Sequence, residues 1–239
     1  MAPVRVNAVI QARMSSTRLP GKVLRDLGGL PVLGWVVRAV REAASVGEVV
    51  VATSDDASDD PVAEAAAGFG AHVVRGPLDD VLARFLLAVD AHPCDAVLRI
   101  TADCPLHDPV LLDQVVGLWL ADPALHYAST TLVRTLPRGY DAEVVRTDVL
   151  REQARVPRGP HREHVTSGVY TDPAHRCAGV VAAPPADDLR VTLDTEQDAA
   201  VIAGVVAAIG RAGWREVVAH LRAHPELAAL NAEVEQVRP

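Results

Sequence analysis

VRVNAVIQARMSSTRLPGK, residues 4–22, is the stretch that fixes how the chain is read. Its first part, Val4–Ile10, is apolar at five of seven positions and reads as a buried first strand. Directly behind it come three cations (Arg13, Arg18, Lys22), three hydroxyls (Ser15, Ser16, Thr17) and a Pro20–Gly21 turn. Such a segment can wrap a polyphosphate: hydroxyls and main-chain N–H groups bond the oxygens, and Arg and Lys neutralise charge. The G-x-x-x-x-G-K-[ST] spacing is absent, so this is not a Walker A loop. The plain alternative is a solvated basic loop.

Working outward, strands and helices alternate with short links. Helices are expected over 31–44, 60–69, 79–91 and 108–120, and strands over 48–53, 71–74 and 96–101. In the first helix Val32, Leu33, Val36, Val37 and Val40 share one face, opposite Arg38, Arg41 and Glu42. The helix at 60–69 is expected to be capped by Asp59 or Asp60, with Pro61 in its first turn. This order builds a parallel sheet with helices on both faces, and ligands of such sheets bind at the carboxyl ends of the strands. The loops at 11–22, 54–59 and 102–105 are therefore expected to line one cleft.

The second half is less regular. Strands are expected at 126–132, 141–146, 180–182 and 189–193, and a helix at 161–170. A stronger helix spans 195–209, with Thr195 as N-cap and Asp198 standing where a capping box usually has Glu or Gln. Two helical pieces broken at Pro225 close the chain. No linker-like composition shift interrupts it, so one domain is expected over residues 1–239.

Of the 239 residues, 49% are hydrophobic but only 3% aromatic, so Val, Leu, Ile and Ala must fill the core. The 31 acidic and 23 basic residues leave a net charge of −8, which argues against a general nucleic-acid or anionic-membrane binder. A cationic loop inside an acidic chain points instead to a small anionic ligand, with a divalent metal. Cys94, Cys104 and Cys177 are an odd count without C-x-x-C spacing, which fits a reducing cytosol. Neither a signal-peptide pattern nor a membrane-spanning apolar run is read, and a cytoplasmic location is expected.

Two carboxylates stand at the ends of strand-like runs: Asp103 in Thr101-Ala-Asp-Cys-Pro105 and Asp194 in Arg190-Val-Thr-Leu-Asp-Thr195. Together they can converge on a hard cation such as Mg²⁺, whereas separately each can cap the following helix. Asp55 and Asp56 suit a ribose or metal, but Ser-Asp-Asp also makes an ordinary turn, and the turn is preferred. Gly76–Asp80 reads as a capped turn. Arg138–Glu143 and Arg162–His164 group polar side chains able to hold a polyhydroxylated or anionic acceptor, or to form a solvated face. Zinc at His161 and His164 lacks a third ligand, and no nucleophile elbow supports a hydrolase triad.

Seven motifs fall in a familiar order. They are Gln11-Ala-Arg-x-x-Ser-Thr-Arg-Leu-Pro-Gly-Lys22, Ala52-Thr-Ser-Asp55, Arg75-Gly-x-x-Asp-Asp-Val-Leu82, Arg99-Ile-Thr-Ala-Asp-Cys-Pro-Leu106, Arg138-Gly-Tyr-Asp-Ala-Glu143, Arg162-Glu-His-Val-Thr166 and Leu193-Asp-Thr195. The chain thereby resembles the spore coat polysaccharide biosynthesis type of cytidylyltransferase, which is related to the CMP-Kdo and CMP-sialic acid synthetases. The resemblance implies an α/β three-layer sandwich on a mostly parallel mixed sheet, of the nucleotide-diphospho-sugar transferase type. It also implies CTP as donor, Mg²⁺ as cofactor and a homodimer. By the same resemblance Arg13, Ser16, Arg18, Lys22, Ser54, Asp55 and Asp79 bind the nucleotide, and Asp103 and Asp194 hold the metal. Arg138, Asp141, Glu143, Arg162, Glu163 and His164 then face the acceptor, while Lys22, Arg13 and Asp103 carry the catalysis. Ala102, Tyr140 and Ser167–Gly168 depart from the family's usual residues beside the acceptor region. A nucleotide-sugar glycosyltransferase on the same fold, and a nucleotide-binding regulatory protein, stay open as alternatives.

Overall fold

The computed structural model describes residues 4–155 and 159–235. In chain order the first half runs β1 (Val6–Gln11), a small hairpin β2 (Asp26–Leu27) and β3 (Leu30–Pro31), α1 (Val32–Glu42), β4 (Val49–Ser54), α2 (Asp60–Gly68), β5 (His72–Gly76), α3 (Val81–Ala91), β6 (Ala96–Thr101) and α4 (Pro109–Ala121). The second half runs β7 (Tyr127–Ser129), β8 (Glu143–Arg146), α5 (Thr147–Gln153), α6 (Pro160–Glu163), α7 (Ser167–Tyr170), β9 (Cys177–Gly179), α8 (Glu196–Ile209), α9 (Trp214–Ala223) and α10 (Pro225–Ala228).

Among the described residues, seven strands form the main sheet in the order β5-β4-β1-β6-β8-β7-β9. The β5, β4, β1 and β6 strands are parallel, whereas β8 pairs antiparallel to both β6 and β7. The fold is thus α/β on a mostly parallel mixed sheet. Alternation along each strand sorts side chains between two faces. Val6, Ala8 and Ile10 of β1 pack with Val49 and Val51 against α1, α2 and α4. Val9, Val50, Ala52 and Val97 point the other way, against α3, α5 and α7. A third apolar cluster joins α8 and α9 to Trp35 and the chain around Leu189 and Val191. No helix of the described residues is long and apolar enough to cross a membrane.

The irregular second half differs most from expectation. The run 189–193 is extended but makes only an isolated bridge, Arg138 to Arg190. The edge strand β9 lies three residues before the expected 180–182, paired to β7. The expected helix at 161–170 breaks at Val165, whose φ of 54° is left-handed and cannot continue a helix. Helix α5 was not anticipated from the sequence. The capping box is present: Thr195 and Asp198 bond reciprocally at the start of α8.

His107 is buried, and neither ring nitrogen has a hydrogen-bond partner among the described residues. Burial pushes its imidazole from 6.5 down to about 4. A depressed folded value means the neutral ring's contribution is complete above the ordinary pKa and is lost as pH falls through the folded one. That amounts to about 3 kcal/mol between pH 7 and 4. His107→Leu should flatten this part of the stability profile, read as urea midpoints across that range. An unchanged acid slope would show that other groups cause it.

Candidate functional site

A cleft of about 840 Å³ opens at the carboxyl ends of β1 and β6, reaching across to β8 and α6. The loop after β1 forms one wall. It is closed by the Gly21 N–H donating to the Met14 carbonyl at 2.9 Å, with Gly21 at a φ of 72° that suits glycine. Its position on the sheet is set by buried Asp59. One Asp59 oxygen accepts the Met14 N–H at 2.6 Å, and the other accepts the Ser54 N–H at 3.1 Å and the Ser54 hydroxyl. Asp59 therefore does not cap α2 with its side chain; its carboxylate ties the loop to the end of β4.

Inside the cleft, Asp103 and Asp194 converge on one cation, Lys22. The Lys22 ammonium donates to Asp103 Oδ2 and to Asp194 Oδ1, both at 2.7 Å. Neither aspartate caps a helix, because Asp108 caps α4 and Thr195 caps α8. On its other oxygen Asp194 meets Arg18 at 3.0 Å and Arg190 at 2.7 Å. Arg190 is fixed in turn by fully buried Asp198, whose carboxylate also accepts from Asn231 at 2.8 Å.

Burial works against the charge on Lys22, but Asp103 and Asp194 raise its pKa above 10.5. Burial likewise opposes ionisation of Asp103, yet the Lys22 charge and hydrogen bonds from Lys22, Thr101 and Cys104 hold it below 3.8. Asp103's contribution to stability is thus present above the ordinary carboxylate value and lost as pH falls through its folded one. Lys22's is present below the ordinary lysine value and lost as pH rises through its folded one. Both groups stay charged across the neutral range. Two carboxylates aimed at one point form a set of hard oxygen donors that fits a divalent cation such as Mg²⁺.

The far end of the cleft is organised around Arg99, the charged residue of the mostly buried strand β6. Its guanidinium meets Gln11 Oε1 at 3.1 Å and the Glu143 carboxylate. Glu143 also accepts the Tyr127 hydroxyl at 2.8 Å and the Thr166 hydroxyl. Arg138 and Gly139 enter on the bend beside Val191, the Val191 N–H donating to the Arg138 carbonyl at 2.6 Å. Asp141 is held by a two-pronged pair with Arg134 at 2.7 and 2.8 Å. Glu163 lies 3.9 Å from Arg13 across the cleft. His164 lines the same end, and partial burial lowers its pKa below 6.5 despite Glu163 and Glu143 nearby. Left-handed Val165 puts His164 in the cleft and Thr166 on Glu143 within three consecutive residues. A β-branched side chain in that conformation is costly, and such strain concentrates at functional sites.

The structure thus gathers Arg13, Ser16, Arg18, Lys22, Asp103, Asp194, Arg138, Asp141, Glu143, Glu163 and His164 around one cleft. Four expected residues lie apart from its lining. Ser54 is buried and spends its hydroxyl on Asp59, and Asp55 is exposed beyond the end of β4. Asp79 is exposed, whereas its neighbour Asp80 caps α3 and pairs with Arg162 at 2.7 Å, drawing Arg162 to the cleft's outer side. The sequence offered Asp59 only as a helix cap and assigned no site role to Arg84, Arg99 or Arg190. The three arginines had a signal: each is a charge inside an apolar run. Arg84 is fully buried in the cleft wall, donates to the Pro77 and Leu78 carbonyls at 2.7 and 2.8 Å, and leaves Nε without a partner among the described residues. Burial, with the Arg13 charge, pushes its pKa below the ordinary arginine value.

The profile of a family described as Cytidylyltransferase matches residues 7–137. The spore coat polysaccharide biosynthesis protein SpsF of Bacillus subtilis is 36% identical over 80% of this chain and 81% of its own length. A cytidylyltransferase structure from Leptospira borgpetersenii serovar Hardjo-bovis superposes with a TM-score of 0.91 at 26% identity, covering 99% of this chain and 100% of that one. The fold is also that of a CMP:2-keto-3-deoxy-manno-octonic acid synthetase in complex with CTP, with a TM-score of 0.66 at 21% identity over 85% of this chain and 98% of that one.

Proposed function

Because the chain belongs to the cytidylyltransferase family, we propose that it transfers CMP from CTP to an acidic sugar, phosphate or phosphonate and releases pyrophosphate. The observation that carries this reading is the convergence of Asp103 and Asp194 on one cationic point beside the Arg13–Lys22 loop. An acceptor oxygen attacks the α-phosphorus in line; the new O–P bond forms as the bond to the β-phosphate oxygen breaks, and the electron pair leaves with pyrophosphate. Arg13, Ser16 and Arg18 bind the triphosphate, and Lys22 and Arg13 offset the charge growing on the leaving group. Asp103 and Asp194 would hold Mg²⁺, which would polarise the α-phosphate. Arg138, Asp141, Glu163 and His164 face the acceptor, and Glu143 holds Arg99 toward it. An ionised acceptor needs no general base, so positioning and charge neutralisation supply most of the acceleration.

The whole chain acts as one nucleotidyltransferase domain in this reading, working as a homodimer. Sedimentation should then give twice the 25.3 kDa of one chain.

The test is pyrophosphate release with Mg²⁺, crossing CTP, UTP, ATP and GTP against acidic sugars, sugar phosphates and small phosphonates. Release is expected with CTP and a restricted acceptor class. Asp103→Asn should lower that rate about 1000-fold, far more than it lowers the unfolding midpoint, since Asp194 still holds Lys22. Full activity of this variant at saturating Mg²⁺ would remove the assigned metal role. A protein that consumes a nucleotide sugar and releases no pyrophosphate would be a glycosyltransferase instead.

A further inference from the structure

The amino ends of the strands, opposite the cleft, bring together a second group of ligating side chains. Glu48 lies two residues before Val50, so both point to the same face of the sheet. His72, the first residue of β5, pairs with Val50 and therefore shares that face. Helix α3 packs on the same face and ends at His92, its C-cap. Topology thus delivers one carboxylate and two imidazoles to one spot. Their ligating atoms all lie within 4.8 Å of one another, and the two imidazole centroids are 4.3 Å apart. His92 Nδ1 already meets Glu48 Oε2 at 2.5 Å.

The backbone beneath them is held by one side chain. Buried Asn7 accepts the Glu48 N–H at 3.0 Å and donates to the His92 carbonyl at 3.2 Å. Gly47 makes room for this clamp, because a Cβ there would sit 2.9 Å from Asn7 Oδ1. Two of the three positions are therefore fixed relative to each other, while His72 is exposed and its ring lies against that of His92.

We propose that Glu48, His72 and His92 form a binding site for a divalent transition metal of the zinc class, at the opposite end of the strands from the nucleotide cleft. Two imidazoles and a carboxylate suit a borderline ion such as Zn²⁺, with water completing the shell at this accessible position. They do not suit Mg²⁺, which favours oxygen donors such as those in the cleft. Bound metal would join β4, β5 and the end of α3.

The experiment is a calorimetric Zn²⁺ titration of the full chain in excess Mg²⁺, which competes for the oxygen donors of the cleft, compared with the same titration of His72→Ala. The solvent-exposed His72 ring makes this variant safe for folding. The wild type should bind one equivalent that His72→Ala binds at least about tenfold more weakly, and Glu48→Gln should weaken it too. Co²⁺ in place of Zn²⁺ should give visible ligand-field bands in the wild type that His72→Ala loses. CTP binding should be the same in both proteins. Equal Zn²⁺ affinity and stoichiometry in wild type and His72→Ala, or no uptake by the wild type, would overturn the proposal and leave an ordinary Glu48–His92 pair.

Discussion

Lys22→Met is expected to lower CMP transfer about 1000-fold and to make the fold depend on a divalent cation. The ammonium sits 2.7 Å from an oxygen of Asp103 and of Asp194, so its loss leaves two carboxylates facing one point. Removing one partner of a buried pair costs about 3–5 kcal/mol. Here the cost falls to about 2 kcal/mol, because the Asp103 side chain is 25% exposed and Arg18 and Arg190 still face Asp194. Added Mg²⁺ should restore most of that stability by supplying the missing charge, yet should not restore activity. Urea midpoints in EDTA and in Mg²⁺ check the first part, and pyrophosphate release checks the second. A variant as stable as the wild type in EDTA, with activity within tenfold, would contradict both roles of Lys22.

Gly139→Ala should be nearly as damaging, by a different route. Gly139 has a φ of 111°, and a Cβ there would lie 2.5 Å from the Val191 carbonyl carbon and 2.6 Å from the Thr192 nitrogen. These contacts are backbone atoms and cannot swing aside. The bend must open, which breaks the Arg138–Arg190 bridge and shifts both Arg138 and the segment leading to Asp194. A loss of about 3 kcal/mol is expected from the clash and the strained backbone together. Activity should fall further than the remaining folded fraction explains. A variant with the wild-type unfolding midpoint and wild-type turnover would show that this close approach is not needed.

The parallel half was legible because its strands are short apolar runs separated by helices, the first of them with a clear apolar face. Asp103 and Asp194 stood out as acids directly after such runs, and their convergence follows from where β6 and the chain before α8 end. Arg99 and Arg190 were legible in principle, as lone charges in apolar stretches. Asp59 was not: next to Pro61 it reads as a helix cap, and only the fold brings it to Met14, 45 residues earlier in the chain. Ser54 misled for the same reason, its hydroxyl being consumed by that carboxylate. The break at Val165 had no local signal, since no glycine or proline marks it; the pull of Thr166 toward Glu143 comes from a distant strand.

The most direct test of the central claim is calorimetric titration of CTP into the wild type and Lys22→Met, each with Mg²⁺ and with EDTA. The expected result is saturable CTP binding to the wild type that requires the cation, is not matched by UTP, and weakens about 100-fold or more in the variant. CTP that fails to bind in Mg²⁺, or binds equally in EDTA and to Lys22→Met, would contradict a nucleotide site built on Lys22, Asp103 and Asp194.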